Sequence, residues 1–340
     1  MKKKPFKLLL NIFIILIALS IVLYFSLKDN YQEILITILN MEPLYFIIAI
    51  LILVVYRFIA SIAYYKIIKI NKENISLLKC FQINFMILFF HGITPFSGGG
   101  QPMEVYYLHK EGISITKSTN ITLQNFLIYQ TALVIVGIFS LIYNNIYSIF
   151  PDNHFIKKFV VIGFIINLIV LLGSLFLSFG KKIHHFISKK GIHFLSKIKL
   201  IKDEEKTQQQ INSYLTNFHK NALELRKNIS LAINLIILNI IGLLVMYSMP
   251  YILAKGMNIE ITLINSIVAT SYVMTIGSFI PIPGGTGGIE YGFVFFYNYL
   301  IKGSLANALM LIWRLISYYL GMILGSIALS LYRKKEKQCE

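Results

Sequence analysis

The sequence predicts an all-α polytopic membrane protein with about six full spans, two broken re-entrant elements and an inverted-topology repeat. Three observations carry that prediction: long apolar runs, two matching Pro/Gly interruptions, and a one-sided distribution of lysine and arginine. Of 340 residues, 56% are hydrophobic and 14% charged, with a mean hydropathy of +0.68. A soluble domain carries about 25% charged residues. Apolar blocks recur from Phe6 to Tyr332, too many to be enclosed in one water-soluble core, so the bilayer must act as the solvent.

Taken in order, Phe6 to Leu27 follows a basic start, Met1 to Lys7, and has the layout of a secretion signal. Its apolar core is too long and no small-residue cleavage site follows, so it reads as a retained span. Full spans are expected at Leu44 to Ile68, Ile121 to Tyr143, Phe159 to Phe179, Ile229 to Leu253 and Leu305 to Leu331. The runs Cys80 to Ile93 and Leu263 to Ile280 instead break off at glycines, and Ile289 to Ile301 is short. The two cysteines, Cys80 and Cys339, provide neither a disulfide framework nor a pair spaced for metal.

The breaks carry the strings HGITPFSGGGQPMEVYYLHK (91–110) and GSFIPIPGGTGGIEYGFVFF (277–296), which share P-x-x-G-G-x-x-x-x-E. Pro95 and Pro281, Gly98 and Gly284, Gly99 and Gly285, and Glu104 and Glu290 are all 186 positions apart. The same offset places Ile75-Ser76-Leu77-Leu78 on Ile261-Thr262-Leu263-Ile264. A single integral membrane domain, 1–340, is therefore expected to contain two units, about 44–143 and about 229–331, joined through a polar connection at 180–228.

Charge sets the orientation of the units, because Lys and Arg concentrate in cytoplasmic loops. If each broken element returns to its starting side and the N-terminus is inside, 25 Lys and Arg lie inside and 5 outside; if each crosses once, the split is 15 and 15. The first topology is expected, with both termini cytoplasmic. The lone span at Phe159 then inverts the second unit relative to the first, a pattern of secondary transporters. The connection combines Ile183, Phe186, Ile187, Phe194, Leu195 and Ile198 on one helical face with flanking lysines. It reads either as a basic interfacial helix attracted to anionic lipid heads or as a solvated linker. No aromatic residues interleave with a basic groove, so the formal charge of +17 does not indicate nucleic acid.

A backbone break inside a membrane survives only where protein buries it or a wet cavity meets it, so the breaks mark a candidate site. The helices restarting near Gln101 and Gly287 would offer free N–H groups to a phosphate or carboxylate. The breaks at Pro95, Pro281 and Pro283 belong to the same candidate site, and the small residues Ser97, Gly98, Gly99, Gly100, Gly284, Gly285, Gly287 and Gly288 would let a ligand approach the backbone. Glu104 and Glu290 either cap these helices or serve as a proton or cationic-headgroup site. Arg57 and Arg314 fall near mid-span, where an uncompensated arginine costs at least about 2.5 kcal/mol, so each needs a carboxylate, a carbonyl or a lipid phosphate. Gly285-x-Gly287-x-x-Glu290 lacks the third glycine of a dinucleotide fingerprint and no P-loop Lys-Ser/Thr follows. No H-E-x-x-H or G-x-S-x-G occurs, so no metal, cofactor or catalytic residue is expected.

TPFSGGGQPMEVYYL and SFIPIPGGTGGIEYGF resemble the two signature segments of the flippase-like integral membrane family of the lysylphosphatidylglycerol synthase transmembrane region. The likeness covers nearly the whole chain, Phe6 to Leu331. It implies a plasma-membrane protein that moves a phosphatidylglycerol-type or aminoacylated phospholipid between leaflets, with anionic lipids as partners. In full-length members a separate soluble domain transfers lysine from tRNA, and a chain ending at Glu340 is expected to lack it. A membrane-embedded lysyltransferase-type enzyme, or an accessory subunit bound to such an enzyme, is the alternative.

Overall fold

The structure is a computed structural model and describes residues 31–150, 154–179, 228–278, 280–301 and 304–339. The expected span at 6–27 and the basic connection at 180–228 lie outside or almost wholly outside these residues. Every regular element among the described residues is a helix, with no strand.

Among the described residues, five helical stretches are long and apolar enough to cross a membrane: Pro43–Ile70, Ile115–Tyr147, Lys158–Phe176, Ile229–Gly256 and Leu305–Tyr332. At about 1.5 Å per residue, a stretch of 28 residues reaches about 42 Å, more than the hydrocarbon thickness of a bilayer. In chain order the helices are α1 (Tyr31–Leu39), α2 (Pro43–Ile70), α3 (Leu77–Gly92), α4 (Gly100–Lys110), α5 (Ile115–Tyr147), α6 (His154–Phe179), α7 (Ile229–Tyr247), α8 (Met249–Gly256), α9 (Leu263–Gly277), α10 (Gly288–Tyr297), α11 (Leu305–Arg314) and α12 (Gly321–Cys339). Between α11 and α12 the chain winds through a π-helical segment, Leu315–Leu320.

Local sequence chemistry sets several helix starts. Ser76, Ser114 and Thr262 precede α3, α5 and α9, and each side chain accepts a hydrogen bond from the backbone N–H three residues on. Pro43 opens α2, where its missing N–H costs nothing. The outward faces are apolar: Leu44, Ile47, Leu51, Val55 and Phe58 form an exposed stripe on α2, and Ile229, Ile233, Ile237 and Ile241 form one on α7. Such stripes would be costly in water and suit contact with lipid.

Both apolar helices that break off fold back as hairpins. The first comprises α3, a 3-10 turn at Pro95–Ser97 and α4; Lys79 at its start bridges Glu111 after its end at 2.8 Å. The second comprises α9, a 3-10 turn at Pro283–Gly285 and α10; Tyr297, in the last turn of α10, has its hydroxyl 3.0 Å from Ser266 Oγ and 2.9 Å from Thr270 Oγ1. The two 3-10 turns pack against each other. The long C-terminal helix, Leu305–Tyr332 through α11, the π-helical segment and α12, passes both hairpins, with Trp313 stacked on Phe293 of α10 and Tyr332 edge-on to Tyr107 of α4.

Two large apolar cores reach toward opposite ends of the C-terminal helix, one including Tyr332 and the other Ala306. One joins Ile67, Ile75, Ile113, Leu235 and Tyr332; the other joins Met41, Met257, Ile259, Ile301 and Phe150. Direct bonds hold these ends: Lys117 pairs with Glu73 in the first, and Glu42 N–H donates to Gly256 O at 2.9 Å in the second.

Candidate functional site

The second break is held by α10 and the C-terminal helix. Gly284, Gly285 and Gly287 all adopt positive φ, +65°, +63° and +91°, so the chain can turn twice within four residues. Glu290 is the third residue of α10, and its Oε2 accepts the Gly287 N–H at 2.6 Å, capping the helix. Its other oxygen accepts Arg314 Nε at 2.7 Å, while Arg314 Nη2 donates to Gly284 O at 3.0 Å. Arg314 and Glu290 are 5% and 4% exposed. Burial at that level removes water from both charges, so the pair depends on its geometry and on these additional bonds.

The π-helical segment starts directly after Arg314 and sets the next aromatic residues. Tyr318 lies under the guanidinium, 4.4 Å from ring centroid to Cζ, and its hydroxyl donates to Gly92 O at 2.9 Å. One side chain thus touches the arginine that binds one hairpin and the helix end of the other. Gly284 has to be glycine on packing grounds too, since a Cβ there would sit 2.3 Å from the Tyr318 ring. A π turn has no residue signature, so Tyr318's central position was not readable.

The first break is built differently. Phe96, not a glycine, takes the left-handed conformation at φ +54°, the second position of the turn, as Gly284 is in the other. The 3-10 turns therefore correspond as Pro95 with Pro283, and the restarted helices as Gly100 with Gly288, an offset of 188. This corrects the pairing of Pro95 with Pro281, which holds for the helix starts but slips by two before the break. The linker 93–94 is shorter than the linker 278–282. In consequence Glu104 is the fifth residue of its helix and caps nothing. It is 6% exposed, and Asn125 Nδ2 lies 3.5 Å from its Oε1.

The remaining expected residues are placed as follows. Pro283, Gly284 and Gly285 are buried; Gly288, Gly99 and Gln101 are half-buried; Pro95, Gly98, Pro281 and Gly287 are exposed. Ser97 belongs to the turn, but its side chain lies outside the described set. Arg57 joins neither glutamate. It is half-buried with its guanidinium 4.7 Å from the Tyr56 ring centroid, beside Tyr129, which in turn neighbours Tyr247. Its Nε is buried and makes no hydrogen bond among the described residues. No group of three His, Cys, Asp or Glu that could hold a metal ion occurs among the described residues.

Comparison with known proteins gives two likenesses. Residues 10–325 match the family described as Lysylphosphatidylglycerol synthase TM region. A protein of Methanocaldococcus jannaschii, UPF0104 membrane protein MJ1595, is 27% identical over 338 residues, covering 94% of this chain and 93% of its own length.

Proposed function

The chain belongs to the lysylphosphatidylglycerol synthase TM-region family, and on that premise we propose that it is a phospholipid translocase. Its cargo is a phosphatidylglycerol-type or aminoacylated phospholipid, moved between the leaflets of the plasma membrane. The observation that carries this reading is the meeting of the two hairpin turns beside a buried arginine.

The hairpins open at opposite ends. Lys79 and Glu111 lie with Tyr332, at the end of the C-terminal helix, whereas Tyr297 lies in the core that includes Ala306, at its start. That arrangement supports re-entrant elements entering from opposite faces, and with the charge count it supports two inverted units with both termini in the cytoplasm. The lipid phosphate competes with the Glu290 carboxylate for Arg314 and the Gly287 N–H, since both are anions suited to the same helix N-terminus. Arg57, whose Nε makes no hydrogen bond among the described residues and lies among tyrosines, supplies a second phosphate contact along the path.

The test is reconstitution into vesicles carrying fluorescently tagged phosphatidylglycerol, with a membrane-impermeant reductant added outside. Wild-type protein is expected to expose inner-leaflet label to the reductant. The paired change Arg314→Gln with Glu290→Gln, which removes both charges together, and the single change Arg57→Gln are expected to protect it. Folded wild-type protein that leaves inner-leaflet label protected contradicts the reading.

A further inference from the structure

The two glutamates of the matching strings sit in opposite electrostatic settings. Glu290 is neutralised by Arg314 at 2.7 Å. Glu104 is about as deeply buried, yet among the described residues no cationic side chain lies within ion-pair distance of it. Its carboxylate is faced by neutral groups: the hydroxyl of Tyr64 from α2, and Thr122 and Asn125 from α5. Tyr64 and Thr122 are 1% and 3% exposed, and among the described residues neither hydroxyl closes a hydrogen bond of normal geometry. Other titratable groups packed around the cluster belong to α3. The Cys80 thiol lies beside Tyr64, and the His91 ring packs on Gly100, one turn before Glu104.

An ionised carboxylate withdrawn from water needs a positive charge close by, and none of the described residues provides one. The donor set is hard and oxygen-rich: one carboxylate, two hydroxyls and an amide whose oxygen can be turned inward by a flip. Such a set suits a small cation of single charge, because one carboxylate balances one charge and neutral oxygens complete its surroundings. We propose that Glu104, Tyr64, Thr122 and Asn125 form a binding site for one small monovalent cation, a proton or a sodium ion. The site goes beyond the lipid reading and does not rest on it, since the cation is bound by side chains of α2, α4 and α5 alone.

The experiment follows thermal unfolding of the purified protein in detergent, in sodium chloride against choline chloride at equal ionic strength, at about pH 6 and about pH 8. A midpoint rise of about 3 °C or more with sodium at the higher pH identifies sodium. A similar rise on lowering the pH, without effect of sodium, identifies a proton. Either response is expected to vanish in Glu104→Gln, which carries the neutral form permanently, to weaken in Tyr64→Phe, and to persist in Glu260→Gln, an exposed carboxylate in another loop. A wild type that responds to neither change, or a Glu104→Gln variant that responds as the wild type does, overturns the proposal. No lipid substrate enters the measurement, so its failure and the failure of the translocase reading are distinguishable.

Discussion

The two hairpins share an outline and differ in what holds their tips. In the second, three glycines at positive φ, a capping glutamate and an arginine from a neighbouring helix form one bonded unit. In the first, Phe96 takes the strained position, the glutamate is two residues deeper and no arginine pairs with it among the described residues. The difference teaches that a sequence repeat can preserve residue identities while the backbone beneath them slips, reassigning each residue's chemistry.

The largest expected effect comes from breaking the unit that only the second hairpin has. Arg314→Gln strands the buried Glu290 carboxylate and is expected to cost about 3–5 kcal/mol, read as a fall in the thermal midpoint. Adding Glu290→Gln should recover part of that loss, because the uncompensated charge disappears. No recovery would show that the pair contributes through packing alone.

Next come the glycines. Gly284→Ala places a methyl group 2.3 Å from the Tyr318 ring at a φ of +65°, and a loss of about 2–4 kcal/mol is expected. At Gly98, the matching position in the string, φ is −75° and the nearest atom to a Cβ is Pro95 O at 3.5 Å, so Gly98→Ala is expected to stay within about 0.5 kcal/mol. The same contrast is expected between Gly285→Val, at φ +63° and 2.7 Å from Ile289, and Gly321→Val, where the nearest atom is 3.6 Å away. Equal losses at all four positions, measured by unfolding and by lipid retention, would reduce the breaks to ordinary helix packing.

Smaller effects probe the link between the hairpins. Tyr318→Phe removes the bond to Gly92 O but keeps the ring under Arg314, so a loss of about 1 kcal/mol is expected. The smallest change is a gain: Phe96 is 60% exposed in a left-handed conformation, and Phe96→Gly is expected to raise stability by up to about 1 kcal/mol. A clear loss would mean that the Phe96 ring has a packing role.

The membrane-spanning stretches were readable because apolar runs of that length have few other homes, and five of the expected spans overlap the five found here. The matched helix starts at Ser76 and Thr262 were readable from the 186-residue offset, since a hydroxyl before an apolar run is itself a capping signal. Arg314 with Glu290 was readable as a need for compensation, though not as a choice of partner. Three features had no sequence mark. The slip to an offset of 188 was hidden because Pro95 and Gly98 match residues on the wrong side of it. The π-helical segment, which brings Tyr318 onto Arg314 and Gly284, has no signature. The neutral surroundings of Glu104 come from α2 and α5, 40 and 18 residues from it at Tyr64 and Thr122, and only the fold brings them together.

The central claim of the translocase reading is that the hairpins open toward opposite faces of the membrane. Ser118, at the first opening, is fully buried and unsuited to labelling, whereas Lys117 beside it is exposed, as is Glu260 before α9. Single cysteines at Lys117 and Glu260, in a background with Cys80 and Cys339 replaced, should react with a membrane-impermeant maleimide from opposite sides of sealed vesicles, Lys117→Cys from the cytoplasmic face. Reaction of both from the same side would contradict the account.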